Sequence, residues 1–174
     1  MANVVSEKLI NFEVFDADEG RLLGLADVEL PTLQAQSEEV SGAGIAGTVD
    51  SPTLGHYAAM SMTIKWRVTE VQALKLMEPR AHALELRGSI QRWNGSLGEF
   101  ETLALKVVTR AVPKSSPLGT LAPGSLQEPS MEFSVRYIKI FLAGTAYVEI
   151  DPLNYIALVN GVDYLAAVRT DLGL

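Results

Sequence analysis

One glycine-rich stretch has the spacing of a dinucleotide-binding motif. Residues 42–47 read Gly-Ala-Gly-Ile-Ala-Gly, which matches the pattern Gly-x-Gly-x-x-Gly. In that motif a buried strand precedes the glycines and a helix begins after them, so that free N–H groups of the helix bind a pyrophosphate. Here residues 34–39 are polar and Pro52 follows closely, so neither element is expected. The stretch therefore predicts a flexible segment and no nucleotide cofactor.

The other residues with chemical potential do not form a catalytic or metal-binding pattern. Asp16, Asp18 and Glu19 lack the spacing and the later Glu of an EF-hand. His56 and His82 lie in different segments without a carboxylate at a metal-ligand spacing, and we expect both on the surface or in loops. The absence of Cys excludes disulfides, zinc–thiolate sites and thiol catalysis. We therefore predict no metal, no cofactor and no enzymatic activity.

Composition indicates a single folded domain. The chain has 174 residues, of which 48% are hydrophobic, enough for one domain over 1–174 with a mainly aliphatic core. No apolar run approaches the roughly 20 residues that span a bilayer, and residues 1–4 lack the features of a secretion signal. We expect the protein to be made in a cytoplasm and not to insert into membranes.

The charge of the chain is unevenly distributed. Residues 1–50 hold ten acids and two bases, a net charge of −8, whereas the other 124 residues hold eleven acids and twelve bases, a net charge of +1. A protein that grips nucleic acid needs a basic stripe, which this distribution does not indicate. An acidic first third can equally serve solubility.

Alternation of apolar and polar residues predicts several strands. They cover 9–15, 23–29, 58–68, 81–93, 100–112, 131–142 and 146–150. We expect the first two to pair as an acidic hairpin, and the strands on either side of 94–98 to pair as another, because Asn-Gly favours tight turns. The pattern predicts a mainly β fold, an antiparallel β-sandwich or partial barrel with one mid-chain helix and a short C-terminal helix.

The two helices and two irregular segments complete the prediction. Thr69 is expected to cap a helix over 70–77, and Asp163 is expected to cap the C-terminal helix. The apolar faces of these two helices are predicted to consist of Val71, Leu74 and Met77 in the first, and of Leu165, Val168 and Leu172 in the second. Residues 41–57 are predicted to form a flexible arm, and 113–130 a proline-rich surface loop.

The end of the chain carries a resemblance to a known family. The ordered series Val148-Glu149-Ile150-Asp151, Asn154, Val159-Asn160-Gly161-Val162-Asp163 and Leu172-Gly173-Leu174 resembles the C-terminus of major tail tube proteins. Those proteins belong to contractile-tailed bacteriophages and the related R-type pyocins. The resemblance extends over most of the chain from about residue 22.

This resemblance implies a mechanical function. In that family, hexameric rings stack into a hollow tube whose inner wall is a β-barrel shared by the subunits. A contractile sheath surrounds the tube, and DNA passes along the lumen without sequence-specific binding. The implied partners are other copies of the chain, the sheath, and the tape-measure and baseplate proteins, and the implied location is the virion, after synthesis in the host bacterial cytoplasm.

Two alternatives remain open at the level of sequence. A tube subunit of a bacterial contractile injection system or tailocin would share the fold. A monomeric β-barrel that binds a small ligand is an alternative from a different class, although such cavities usually contain more aromatic side chains than this chain offers.

Two sets of residues are candidates for contacts. The arm contains apolar residues on a glycine-rich segment, which indicates that it becomes ordered against a neighbouring subunit; its candidates are Gly42, Gly44, Ile45, Gly47, Val49, Leu54 and Tyr57. The acidic residues Glu13, Asp27 and Glu29 are expected to face either the lumen or the sheath, and the sequence leaves both options open.

Overall fold

The structure of the chain is a computed structural model that describes residues 4–17, 20–24 and 26–174. Met1 to Asn3 lie outside the described residues, as do Asp18 and Glu19 of the acidic loop after the first predicted strand and Leu25 of the second predicted strand.

Strands form most of the described chain. They are β1 (Val4–Asp16), β2 (Arg21–Leu22), β3 (Ala26–Glu29), β4 (Ala35–Val40), β5 (Val49–Tyr57), β6 (Met60–Trp66), β7 (His82–Asn94), β8 (Glu99–Ser115), β9 (Ser130–Leu142), β10 (Thr145–Asp151), β11 (Ile156–Val159) and β12 (Val162–Asp163). Two helices accompany them, α1 (Val71–Lys75) and α2 (Ala166–Leu172). The predicted mainly β fold with a mid-chain and a short C-terminal helix is confirmed.

The main sheet is antiparallel and forms a partial barrel. Six strands follow one another in the order β3-β6-β9-β8-β7-β1, and a branch continues from β9 through β10 and β11 to β12. The branch arises because β9 pairs with β6 over 130–135 and with β10 over 138–142, on the side opposite β8. Strands β1 and β3 line the same clefts, yet no hydrogen-bonded ladder joins them in the described chain, so the sheet does not close into a barrel.

Strand β6 supplies the centre of the core. Met60, Met62, Ile64 and Trp66 are all buried and alternate with polar residues, as the sequence predicted. The indole N–H of Trp66 donates to the carbonyl of Leu23 at 2.9 Å, which satisfies the one polar group of this row. Burying side chains of this size contributes on the order of 1.5–3 kcal/mol each relative to exposure.

The predicted N-terminal hairpin is present only next to its turn, and its second strand does not continue along β1. Strand β1 pairs along its whole length with β7, whereas its contact with β2 covers only Phe15↔Leu22 and Asp16↔Arg21. The next strand, β3, pairs with β6 instead. The non-local pairing wins because it places the apolar face of β1, including Phe12 and Val14, over the core.

Helix α1 buries the opposite face from the one predicted. Ala73 and Leu76 are buried, while Val71, Leu74 and Met77 are 69%, 47% and 42% exposed. The N-cap position is Glu70 and forms no side-chain capping bond, so Thr69 is not the cap. In a helix of only five residues, tertiary packing and not periodicity selects the buried face.

The proline-rich segment is shorter than predicted. Strand β8 continues through Pro113 to Ser115, and the irregular stretch covers 116–129. Pro113 is tolerated because the β8–β9 register shifts beside it, between Pro113 and Ser115. In the described part of the chain, no helix is long and apolar enough to cross a bilayer.

Candidate assembly site

The predicted arm is the tip and second strand of a β-hairpin. Strand β5 pairs with β4, which the sequence analysis did not predict, in a two-stranded sheet separate from the main one. We call residues 35–57 the hairpin arm. Its tip contains Gly42, Gly44 and Gly47, whose positive φ angles of 155°, 97° and 141° favour glycine and whose surroundings are open. The arm is therefore more regular than the flexible segment predicted from composition.

The apolar side chains of the hairpin arm are uncovered in a single copy. Every residue of β4 is exposed, and Ile45, Val49 and Leu54 are 41%, 52% and 57% exposed. An isolated two-stranded hairpin is marginally stable in water. The combination fits a segment that another molecule covers.

The base of the hairpin arm is fixed to the domain. A Cβ at Gly55, where φ is +67°, would lie 2.6 Å from Cγ of Leu165, so only glycine allows this close approach to the C-terminal segment. Tyr57 packs against the core, and Ala58 N–H donates to the carbonyl of Gln34 at 2.8 Å. Tyr57 therefore anchors the arm to its own domain, and its assignment to the contact surface stays a prediction.

The structure places the three acidic candidates in two different positions. Glu13 and Asp27 line one cleft of about 410 Å³ between β1 and β3, together with Glu70 and Arg67. Asp27 pairs with Arg67 at 2.7 Å, and Glu29, outside this cleft, lies 3.8 Å from Lys65. Cross-strand cations thus offset the charge of Asp27 and Glu29, which weakens the negative field expected from sequence.

Asp163 organises the C-terminal motif in a way that the sequence analysis missed. Its carboxylate accepts the N–H groups of Leu165 and Ala157 and pairs with Arg169 at 2.6 Å. The hydrogen bond from Arg169 holds the pKa of Asp163 below its usual value. Asp163 therefore joins β11 to α2 and does not serve as the N-cap, which is Leu165.

The apolar face predicted for α2 is only partly buried. Leu165 is buried and Val168 half-buried, but Leu172 and the terminal Leu174 are 56% and 73% exposed. The chain end therefore has no apolar cover in one copy, although its composition predicts a packed terminus.

A basic and aromatic surface lies on the side of β8 and β9 that faces away from the core. Lys106 and Lys139 lie over the ring of Phe141, with their Nζ atoms 4.7 Å and 5.4 Å from its centroid. Tyr137 donates to Glu149 at 2.9 Å, and burial, followed by this bond, raises the pKa of Tyr137 to about 12. Sequence reasoning missed this surface, although Lys106 and Arg110, on either side of buried Val107 and Thr109, could have indicated it.

The structure does not support a dinucleotide-binding or metal-binding site at the sequence patterns considered above. The glycine pattern follows an exposed strand and leads into another strand, where a dinucleotide site needs a helix. No group of three or more His, Asp or Glu side chains suited to a metal occurs among the described residues. His56 is exposed as expected, but His82 is buried, with Nε2 3.1 Å from the carbonyl of Glu78, so its surface assignment was wrong.

Comparison with known proteins identifies the family. The family model of phage tail tube protein FII matches residues 6–173. The chain is also similar to the tail tube protein of Escherichia phage P2, with 31% identity over 153 residues, which cover 84% of this chain and 86% of that protein. The match to the family model includes most of β1, all of β3, the hairpin arm and the C-terminal motif as far as Gly173. The chain therefore belongs to the phage tail tube protein FII family, and it is a structural component of a virion and not an enzyme.

Proposed function

We propose that this protein is the major tail tube subunit of a contractile tail, and that six copies form a ring. The rings stack into a hollow tube inside the sheath, and DNA passes through the lumen on ejection without sequence-specific binding. Sheath, tape-measure and baseplate proteins are the other partners. Membership of the tail tube family supports assembly with further copies and with other tail components.

The observation that carries the ring is the open edge of the partial barrel. Strand β1 has a ladder partner on its β7 side along its length, but on its other side the described chain pairs only its last residues, Val14 to Asp16. Strand β3 likewise pairs with β6 alone within the described chain. Free edges of this length promote pairing with another chain, and a closed ring of subunits removes them.

The hairpin arm supplies the second kind of contact in this proposal. Its exposed Ile45, Val49 and Leu54 become buried against another subunit, and the glycines of the tip allow the backbone to adapt. A tube subunit of an injection system or tailocin would use the same contacts, so the genes beside this one distinguish those two functions. The monomeric ligand-binding barrel is not favoured, because the cleft of about 410 Å³ between β1 and β3 is lined by charged side chains.

Purified protein is expected to form rings with six-fold symmetry. The ring mass is six times 18.8 kDa, or about 113 kDa, in light scattering, and image averages by negative-stain microscopy would display the symmetry. Detection of monomer alone at high concentration, across several salt conditions, would contradict the proposal.

Charge changes at Asp27 and Glu29 test whether these residues face the lumen or the sheath. Six copies carry 6 × (−7) = −42 formal charges. If Asp27 and Glu29 face the lumen, they repel DNA phosphates; if they face outward, they attract a basic sheath surface. Changing both to Lys is expected to alter DNA ejection in the first case and sheath attachment in the second.

The neutral variant Asp27→Asn/Glu29→Gln is the matched control for this charge reversal. Both variants lose the ion pairs with Arg67 and Lys65, but only the reversal places new positive charge on the surface. Exposed pairs of this kind contribute about 0–1 kcal/mol, so both variants should fold. No change in either assay would leave the acidic residues with a role in solubility only.

A further inference from the structure

The hairpin arm carries an unfavourable arrangement of charge. Glu39 lies directly opposite Asp50 in the β4–β5 register, and Glu38 is adjacent. Like charges directly opposite each other destabilise an antiparallel pair. All three carboxylates are exposed, and the part of the chain that the structure describes provides none of them with an ion pair. A cationic partner would remove this repulsion.

The same chain contains a surface with the complementary charge. On the outward side of β8 and β9, Lys106 lies opposite Phe141 and Arg110 lies opposite Tyr137. Lys139 is neutralised by Glu149 at 2.8 Å, whereas Lys106 and Arg110 have no carboxylate partner within the described residues. We call Lys106, Arg110, Tyr137 and Phe141 the basic-aromatic face.

We propose that the hairpin arm of one subunit docks on the basic-aromatic face of a second copy. Glu39 and Asp50 supply two negative charges, and Lys106 and Arg110 supply two positive ones. Within one copy the described side chains do not bring these groups together, and the base of the arm is fixed beside Leu165. This proposal rests on the proposed function of the arm as a contact between subunits and adds the surface that receives it.

The contact should depend on salt. The Debye length is about 8 Å at physiological ionic strength, so exposed charges influence each other mainly at short range. Raising the salt concentration is therefore expected to slow tube assembly more in the wild-type protein than in a variant that lacks the acidic pair, such as Glu39→Gln/Asp50→Asn.

A charge exchange tests the pairing directly. Glu39→Lys/Asp50→Lys and Lys106→Glu/Arg110→Glu are each expected to reduce sedimentable tubes at least tenfold, and the combined variant is expected to restore them. Glu99→Lys/Asp171→Lys is the matched control for the first of these variants, since it makes the same change in net charge at two exposed positions outside both surfaces and should assemble normally. Thermal unfolding of each variant confirms that the domain is folded.

Introduced cysteines provide a second and independent measurement. Because the chain has no Cys, every disulfide of the variant Glu39→Cys/Arg110→Cys involves only positions 39 and 110, and the two single variants report any 39–39 or 110–110 bond separately. Oxidation of its tubes should give covalently linked chains on denaturing gels, whereas Glu39→Cys/Lys65→Cys, with the second thiol on β6, should not.

The outcomes separate this inference from the function on which it rests. If wild-type protein assembles but the combined charge variant is not restored and the two cysteine pairs cross-link equally or not at all, the docking surface is wrong and the tube remains. If wild-type protein forms no rings or tubes, the proposed function itself fails. Should a charge variant fail to fold, the cysteine pair alone decides.

Discussion

Replacement of residues 44–52 by a short Gly-Ser linker is expected to abolish tube formation while leaving a domain that unfolds cooperatively. The replaced segment contains Ile45 and Val49, two of the uncovered apolar side chains of the hairpin arm, and contributes no residue to the buried core. Burial of Ile45 and Val49 against a neighbour would contribute on the order of 1.5–3 kcal/mol each, less the cost of ordering the segment. Thermal melting and negative-stain microscopy are the two measurements.

A finer comparison separates apolar burial from loss of the arm itself. The variant Ile45→Ser/Val49→Ser/Leu54→Ser keeps the hairpin length and removes its apolar side chains. Leu97→Ser/Leu121→Ser/Leu153→Ser removes three exposed leucines from outside the arm, where they are 68%, 87% and 69% exposed. We expect tubes from the second variant and not from the first.

For the linker replacement of residues 44–52, normal assembly of the shortened protein would make the arm dispensable, and a shortened protein that cannot fold would place the arm in the core.

Truncation of Phe133 to Ala is expected to lower the free energy of unfolding by about 3–5 kcal/mol. The side chain is completely buried, with Met62 opposite it on β6 and Pro113 opposite it on β8. Its removal leaves a cavity beside β6 and β8. The neighbouring residues are held in the β6–β9 and β8–β9 strand pairs and cannot easily move to fill it. Since a small domain is stable by only about 5–15 kcal/mol, the loss is a large fraction of the total.

Urea denaturation followed by tryptophan fluorescence measures this effect, because Trp66 lies in the same core. Leu121→Ala is the control, as that side chain is 87% exposed and its removal should change the free energy of unfolding by no more than about 0.5 kcal/mol. A loss below about 1 kcal/mol for Phe133→Ala would show that the core can rearrange around the missing ring.

The structure separates two tasks within one chain. The partial barrel buries a continuous core from β1, β6, β7, β8, β9 and β10. The hairpin arm, the free edge of β1 and the C-terminal leucines remain uncovered. This division suits a subunit that must fold before it assembles, because the surfaces proposed to join copies contribute little to the stability of a single one.

The sequence by itself determined the features that depend on neighbouring residues. The alternation along 60–66 identified β6 and its buried face correctly. The turn at 94–98 was predicted because Asn-Gly favours tight turns, and the strands on either side of it pair as expected. A second Asn-Gly pair, Asn160-Gly161, adopts positive φ angles of 52° and 81°. The glycine-rich and apolar composition of 42–57 also located the arm, since that combination is unusual in a segment exposed to water.

Only the tertiary structure decided which elements meet. Strand β1 could satisfy its hydrogen bonds with any strand of suitable length, and β7 was chosen because that register covers the core. The same competition paired polar β4 with β5, selected the buried face of α1 and enclosed His82. The basic-aromatic face was invisible for a related reason: its residues come from two strands whose register aligns Lys106 with Phe141. The free energies of strand pairing and of side-chain burial depend on contacts between segments distant in sequence. Local sequence patterns contain no information about those contacts.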